Sequence, residues 1–327
     1  MPTLIDIYKQ PLVLAILVLI CMSSRVLAST INCPNTLNLK PTYQTKVPVS
    51  LYIEGTLSVH QKSSKSENEF FVAPEVELIN SCSQSLTAKT FIAPLPERLN
   101  IFSHQSKESR SGAFINVSSV DQKMAMEKKG PSWHAYTASF LDLRFVGATV
   151  RLAHGLVTLD GEINSVQDLV GKRIGLVMRP SSLRVLQEAV LMNVWDIYDQ
   201  ITVKEYPPGE MSQALDRGEV DAIFLPVIRE TKGKLLPINI DFNRTDIHWI
   251  SISLKDVKTA MEKTLILTDH MVLPEIIKLA NKEEIGLITF DVAWFTFAST
   301  PDTVVYDFLQ MVRHVCPSDI NSCSTLS

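Results

Sequence analysis

Between Ile163 and Val227 strand-like and helix-like segments alternate, with only short turns between them. "RIGLV" (173–177) is an apolar run of strand length. The segment 182–194 then carries Leu183, Leu186, Val190 and Val194 at i, i+3, i+7 and i+11, which is one face of a helix. "ITVKEY" (201–206) reads as strand, "PPGEMSQALDRG" (207–218) as a short helix stopped by Gly218, and "EVDAIFLPV" (219–227) as strand. Strands joined through helices must lie parallel, so this block predicts an α/β sheet. Ahead of it, "INSVQDLVGK" (163–172) reads as a short helix that Asn164 or Ser165 can cap and Gly171 can end.

Two extended runs without helical period flank the block, at 141–159 and 285–299. Each is long enough to pass from one lobe to another, so the spacing predicts two crossings between two lobes. "PDTVVYDFLQMVRHV" (301–315) reads as a terminal helix opened by Pro301. Upstream, "FFVAPEVELI" (70–79) reads as strand, and the polar stretches 61–69 and 103–112 read as surface loops. Residues 29–70 read as an N-terminal extension with apolar alternation near 47–53 and 56–59. The length, 327 residues, suits one large or two ordinary domains.

Lys9, the apolar run Leu12 to Met22 and the small-residue site Val26-Leu27-Ala28 form a secretory signal peptide over 1–28. The run is about half of the roughly 20 residues that span a bilayer. Removal of Lys9, Arg25 and Asp6 with it leaves 29 basic and 34 acidic residues, a net charge of −5. An exported, mildly acidic chain without a basic cluster is not expected to bind nucleic acid. Four cysteines stay in the mature chain: Cys33, Cys82, Cys316 and Cys323. An even count in an exported chain predicts two disulfides with three possible connectivities, of which Cys33–Cys82 and Cys316–Cys323 are the pairs nearest in sequence. No CxxC and no ligand-spaced histidines point to a metal.

The residues with the clearest chemistry lie where "RIGLV" ends. A strand-to-helix turn gathers free backbone N–H groups. Ser181 and Ser182 add hydroxyls there, Arg179 and Arg184 add guanidinium forks, and Pro180 fixes the backbone. Together they can hold a carboxylate or phosphate; alternatively Ser181 is a helix cap and both arginines are solvated. It is not a phosphate-binding P-loop, because no Gly-rich GK[ST] motif is present.

"INSVQDLVGKRIGL" followed by "YPPGEMSQALDRGEVDAIF" resembles the second lobe of type 2 periplasmic solute-binding proteins. With "LDLRFVGATV" before it and "TPDTVVYDFLQMV" after it, the chain is most similar to the TAXI family of TRAP-transporter solute receptors. That resemblance implies an α/β, two-lobed periplasmic-binding-protein type 2 fold, each lobe a mixed sheet flanked by helices, with two hinge crossings. It divides the chain into lobe 1 (71–148 and 300–327), lobe 2 (149–285) and a returning hinge strand (286–299). It implies that Pro180, Ser181 and Ser182 form a ligand-facing turn and that Asp221 and Ala222 lie on a returning strand whose Phe224 reaches the cleft. "GPSWHAY" (130–136) falls where lobe 1 presents its own turn, so Trp133, His134 and Tyr136 are candidate contacts, as is Tyr206. Ordinary packing serves Tyr136 as well, and Asp221 can instead order its loop by accepting backbone hydrogen bonds. The Gly-rich loop that TAXI receptors carry early in the chain is not found here.

The expected function is a periplasmic, monomeric receptor. It closes over a small organic anion or amino acid and delivers it to the integral membrane permease subunits of a TRAP transporter. No cofactor is expected. Neither GxSxG nor HExxH is present, so no enzymatic activity is expected. The alternatives are an ABC-transporter substrate-binding protein, a periplasmic sensor or partner protein on the same fold, and a hydrolase with dispersed residues.

Overall fold

A computed structural model of the chain describes residues 46–54, 79–93, 95–207, 210–229, 235–237, 246–272 and 285–315. The segment 1–28 expected to be a signal peptide, Cys33, Cys316, Cys323 and nearly all of the 70–79 run lie outside these residues. Cys82 is disulfide-bonded, to a cysteine outside the described residues.

Eleven strands form the described sheet: β1 (Val47–Glu54), β2 (Leu86–Ala93), β3 (Ala113–Ser118), β4 (Leu143–Thr158), β5 (Arg173–Val177), β6 (Thr202–Tyr206), β7 (Ala222–Arg229), β8 (Leu235–Pro237), β9 (His248–Ile250), β10 (Asp269–Val272) and β11 (Gly286–Phe297). The path is β2-β1-β3-β11-β4-β7-β5-β6, with β10, β8 and β9 attached to β11, β7 and β4. One end, β2-β1-β3, is parallel, and so is the other, β7-β5-β6. The helices are α1 (Leu95–Asn100), α2 (Ser119–Glu127), α3 (Ser182–Glu188, continuing as a π-helix over Ala189–Val194), α4 (Met211–Asp216), α5 (Leu254–Lys263) and α6 (Asp302–Val315). The α1, α3 and α4 helices supply the crossovers that parallel neighbours require.

The strand–helix alternation of 173–227 appears as β5-α3-β6-α4-β7. The two extended runs are β4 and β11, which pair antiparallel from Ile288↔His154 to Phe297↔Leu143 with two register shifts. They carry the chain from the first parallel set to the second and back. Separate sheets for two lobes are not observed: β4, with 16 residues, and β11, with 12, fuse both parallel sets into one mixed sheet. The physical reason lies in their length. At about 3.3 Å per residue each reaches across both sets, and leaving either backbone unpaired in between would strand its polar groups.

Within the segment read as an extension, Val47–Glu54 is an interior strand, paired with β2 on one side and β3 on the other. Val49 and Leu51 are buried from it beneath α6, whose Val304, Phe308, Met311 and Val312 form its own buried stripe. Phe114 and Phe308 stack there with ring centroids 3.8 Å apart. The 163–172 segment is a 3-10 turn, Val166–Leu169, closed by a Ser165/Asp168 capping box. Gly171 ends it at φ +79°, a conformation open to glycine. Among the described residues no helix is long and apolar enough to cross a membrane.

Candidate ligand-binding site

The turn after β5 sits at the carboxyl end of the second parallel set, where loops and helix starts converge. Gln187 Oε1 accepts from Val177 N at 3.0 Å and Met178 N donates to Tyr206 O at 2.9 Å, which fixes the exit of the strand. The Arg179-Pro180 peptide is cis. Ser181 is extended, and its hydroxyl accepts from Leu183 N at 3.2 Å, so it caps α3. Ser182 is buried, and its Oγ makes no hydrogen bond among the described residues.

Both arginines turn to one carboxylate. Arg184, 1% exposed, donates from Nε to Glu188 Oε1 at 2.8 Å, from Nη1 to Val177 O at 3.0 Å and from Nη2 to Tyr198 Oη at 3.2 Å. Its Nη1 also lies 3.0 Å from Glu205 Oε1. Arg179 Nη2 donates to Glu188 Oε1 as well, and Tyr198 donates to the same oxygen at 3.1 Å. Partial burial opposes the Arg179 charge most strongly, but the Glu188 hydrogen bond and the surrounding anions outweigh it and raise its pKa. Two cations thus face two carboxylates.

The facing turn comes from the first half of the sheet. Gly130 adopts φ +136°, and a Cβ there would lie 2.6 Å from His134 O, so only glycine lets the chain fold back at this point. Pro131 then leads into a 3-10 turn, Ser132–His134. The Arg179 guanidinium lies over the Trp133 ring, 4.8 Å from its centroid, joining the two turns through a cation–π contact. His134 and Tyr136 point inward to Asp121 on α2: His134 Nε2 contacts Oδ1, and Tyr136 Oη donates to Oδ1 at 2.7 Å. Ser118 Oγ donates to Oδ2. Complete burial pushes the Asp121 carboxyl up, but His134, Ser118 and Ser182 together hold it below its ordinary value. Ser182 acts there by proximity, without reaching hydrogen-bonding geometry.

The structure therefore brings Trp133, His134, Tyr136, Arg179, Pro180, Ser181, Ser182 and Arg184 to one junction. It holds three of the sequence-derived candidates elsewhere. Asp221 lies at the amino end of β5, accepting from Arg173 N at 2.7 Å, Nε at 3.1 Å and Nη2 at 2.6 Å, which is its loop-ordering role. Ala222 is fully buried opposite Ile174. Phe224 is 1% exposed and stacks on Trp195 at 6.5 Å. Tyr206 ends β6 beside Val177, but its hydroxyl donates to Glu219 Oε2 at 3.1 Å.

Sequence reasoning missed Asp121 and Glu188. Each left a signal: Ser118-x-x-Asp121 is a helix-start pattern, and Arg184 and Glu188 stand at i, i+4. Beside the junction lies a cavity of about 230 Å³. Met124 and Pro131 line it from the first half of the sheet, Val185 and Glu188 from α3, and Ile266 from the turn after α5. Among the described residues no group of histidine, cysteine, aspartate and glutamate could hold a metal.

The family described as NMT1/THI5 like matches residues 117–241, which span this junction and β4 to β7. No curated protein sequence matches the chain. Solved structures similar to it include R. palustris Rpa4515 with adipate, at 14% identity over 83% of each chain and TM-score 0.44. MatC from Rhodopseudomonas palustris with bound malate is 14% identical over 86% of this chain and 88% of that one, at TM-score 0.43. An amino acid ABC transporter substrate-binding protein, AbpA from Streptococcus pneumoniae, bound to L-arginine, is 13% identical over 85% and 92%, at TM-score 0.41.

Proposed function

We propose that the protein is an extracytoplasmic solute-binding receptor whose ligand sits between the 130–136 turn and the 178–188 segment. The observation that carries this reading is the cavity beside the Trp133–Arg179 contact, lined from both halves of the sheet. A seat built from two halves that β4 and β11 connect can open and close about those strands, and a ligand touching both walls favours the closed form. Pro131, Val185 and Glu188 line the seat, and Trp133, Arg179 and Pro180 stand beside it as proposed contacts at its rim. Arg184, Asp121 and His134 hold those walls in place from beneath. Asp221, Ala222 and Phe224 shape the second half.

The ligand is a small organic anion or amino acid by the sequence reading, and the delivery partner is an integral membrane permease. The TAXI-like motifs support a TRAP-type permease. Neighbouring genes for a permease and an ATPase would instead favour the ABC alternative.

The test is a melting-temperature screen of the mature protein against organic acids, amino acids and their amine and alcohol counterparts. A ligand at about 100 times its Kd adds about 2.7 kcal/mol to the folded state, a shift of several degrees. The same shift should shrink in Trp133→Ala. No shift with any compound would remove the receptor reading.

A further inference from the structure

Glu188 is engaged on one side only. Arg179, Arg184 and Tyr198 all donate to Oε1, and no hydrogen bond among the described residues reaches Oε2. The residue is 6% exposed and lines the cavity. Oε2 therefore keeps acceptor capacity free on a residue that lines the cavity, and a donor arriving there gains a charge-assisted hydrogen bond. Most of the remaining lining is apolar, including Met124, Val185, Ala189 and the exposed Met192, with Asn193 and Thr264 as polar members.

The charges decide which ligand fits. The two cations that would attract an acid are already paired, with Glu188 Oε1 and with Glu205. A carboxylate entering the cavity would meet at Oε2 an acceptor and not a donor, on a group whose charge Arg179 and Arg184 already balance. At about 30 Å³ per water, the cavity holds on the order of seven waters, which is room for a body of roughly six to eight heavy atoms.

We propose that this cavity binds a small molecule with an apolar body and a hydrogen-bond-donating end, an amine or a hydroxyl, seated on Glu188 Oε2. The proposal rests on reading the cavity as the solute seat and replaces the organic anion of the sequence reading with a donor-ended apolar molecule.

Three six-carbon probes test it on the full mature protein by calorimetry: 1-hexylamine, 1-hexanol and hexanoate. Hexylamine and hexanol should bind, and hexanoate should bind at least about tenfold more weakly than hexylamine. Glu188→Gln should cut hexylamine affinity about tenfold and leave hexanol affinity within about threefold, since an amide oxygen still accepts. Because Glu188 also holds Arg179 and Arg184, a second variant guards against misfolding: Ala189→Leu fills the cavity and should weaken all bound probes about tenfold in a protein that still melts cooperatively. Hexanoate binding as well as or better than hexylamine would overturn the donor-end assignment while the receptor reading survives. Failure of all three probes to bind folded protein would overturn this assignment and the cavity as the receptor's seat together.

Discussion

Replacing His154 by Phe should flatten the acid dependence of stability. His154 lies in the middle of β4, between Pro226 on β7 and Ile288 on β11, and is 1% exposed. Its ring stacks on Phe290 at 5.5 Å, and neither ring nitrogen has a partner among the described residues. Burial alone lowers its pKa from 6.5 to about 3. The folded state therefore keeps the neutral ring while the unfolded chain takes up a proton near pH 6.5. The stabilising difference is complete above that value and is lost as the pH falls toward about 3.

One pH unit of differential protonation is worth 1.36 kcal/mol, so this group removes about 2 kcal/mol by pH 5 and about 4 kcal/mol by pH 3. Urea titrations at about pH 7.5 and about pH 5 read it, because most carboxylates stay ionised across that range. The wild-type protein should lose about 2 kcal/mol more than His154→Phe between the two conditions. At the higher pH the variant should be close to neutral: two unpartnered buried nitrogens are removed, and the slightly larger ring fills the same stack. Parallel losses in the two proteins would refute the reasoning, since they would mean that His154 is hydrated or paired in the folded state.

Other expectations follow from the junction. Asp121→Ala leaves His134 and Tyr136 buried without their acceptor and should cost about 3–5 kcal/mol in urea unfolding. Gly130→Ala forces a Cβ against His134 O at a positive φ and should cost about 1–3 kcal/mol, with a change in Trp133 fluorescence. Asp221→Asn should cost about 1–2 kcal/mol at neutral pH. The Arg173 hydrogen bonds are the largest influence on the Asp221 carboxyl and hold it below its ordinary value, so wild-type stability from this pair is present above that value and lost as pH falls further. The difference between the two proteins should therefore vanish in strong acid.

The elements of 163–229 and the two crossings were legible because each rests on local chemistry: apolar period, caps and glycine stops. The fusion of both ends into one sheet was not. Whether two parallel sets share their edges depends on which strands meet across β4 and β11, a long-range pairing that leaves no period in the sequence. The strand at Val47–Glu54 shows the same limit, since its alternation fits an exposed extension as well as an interior strand. At the candidate site, residue types pointed to two turns that meet in the fold, because "RPSS" and "GPSWHAY" are rich in groups that need partners. What they could not tell was which partner each would take.

That gap matters most for the sign of the ligand. From sequence, Arg179 and Arg184 beside two serines suggest an anion seat, and the helix start adds its own positive end. In the fold Ser181 spends its hydroxyl on Leu183 N, Arg184 is buried against Glu188, Val177 and Tyr198, and Arg179 divides its guanidinium between Glu188 and the Trp133 ring. Apart from the buried Ser182 hydroxyl, the side chains that could greet an anion are already engaged by the chain itself. Drawing Arg179 away to an incoming acid would break a charge-assisted hydrogen bond and uncover Glu188, so the gain from one new ion pair is offset by the loss of an old one. On the cavity wall itself, Glu188 Oε2 is an acceptor with free capacity. A site that closes by neutralising its own cations is therefore better read by its unused lone pairs than by its count of arginines.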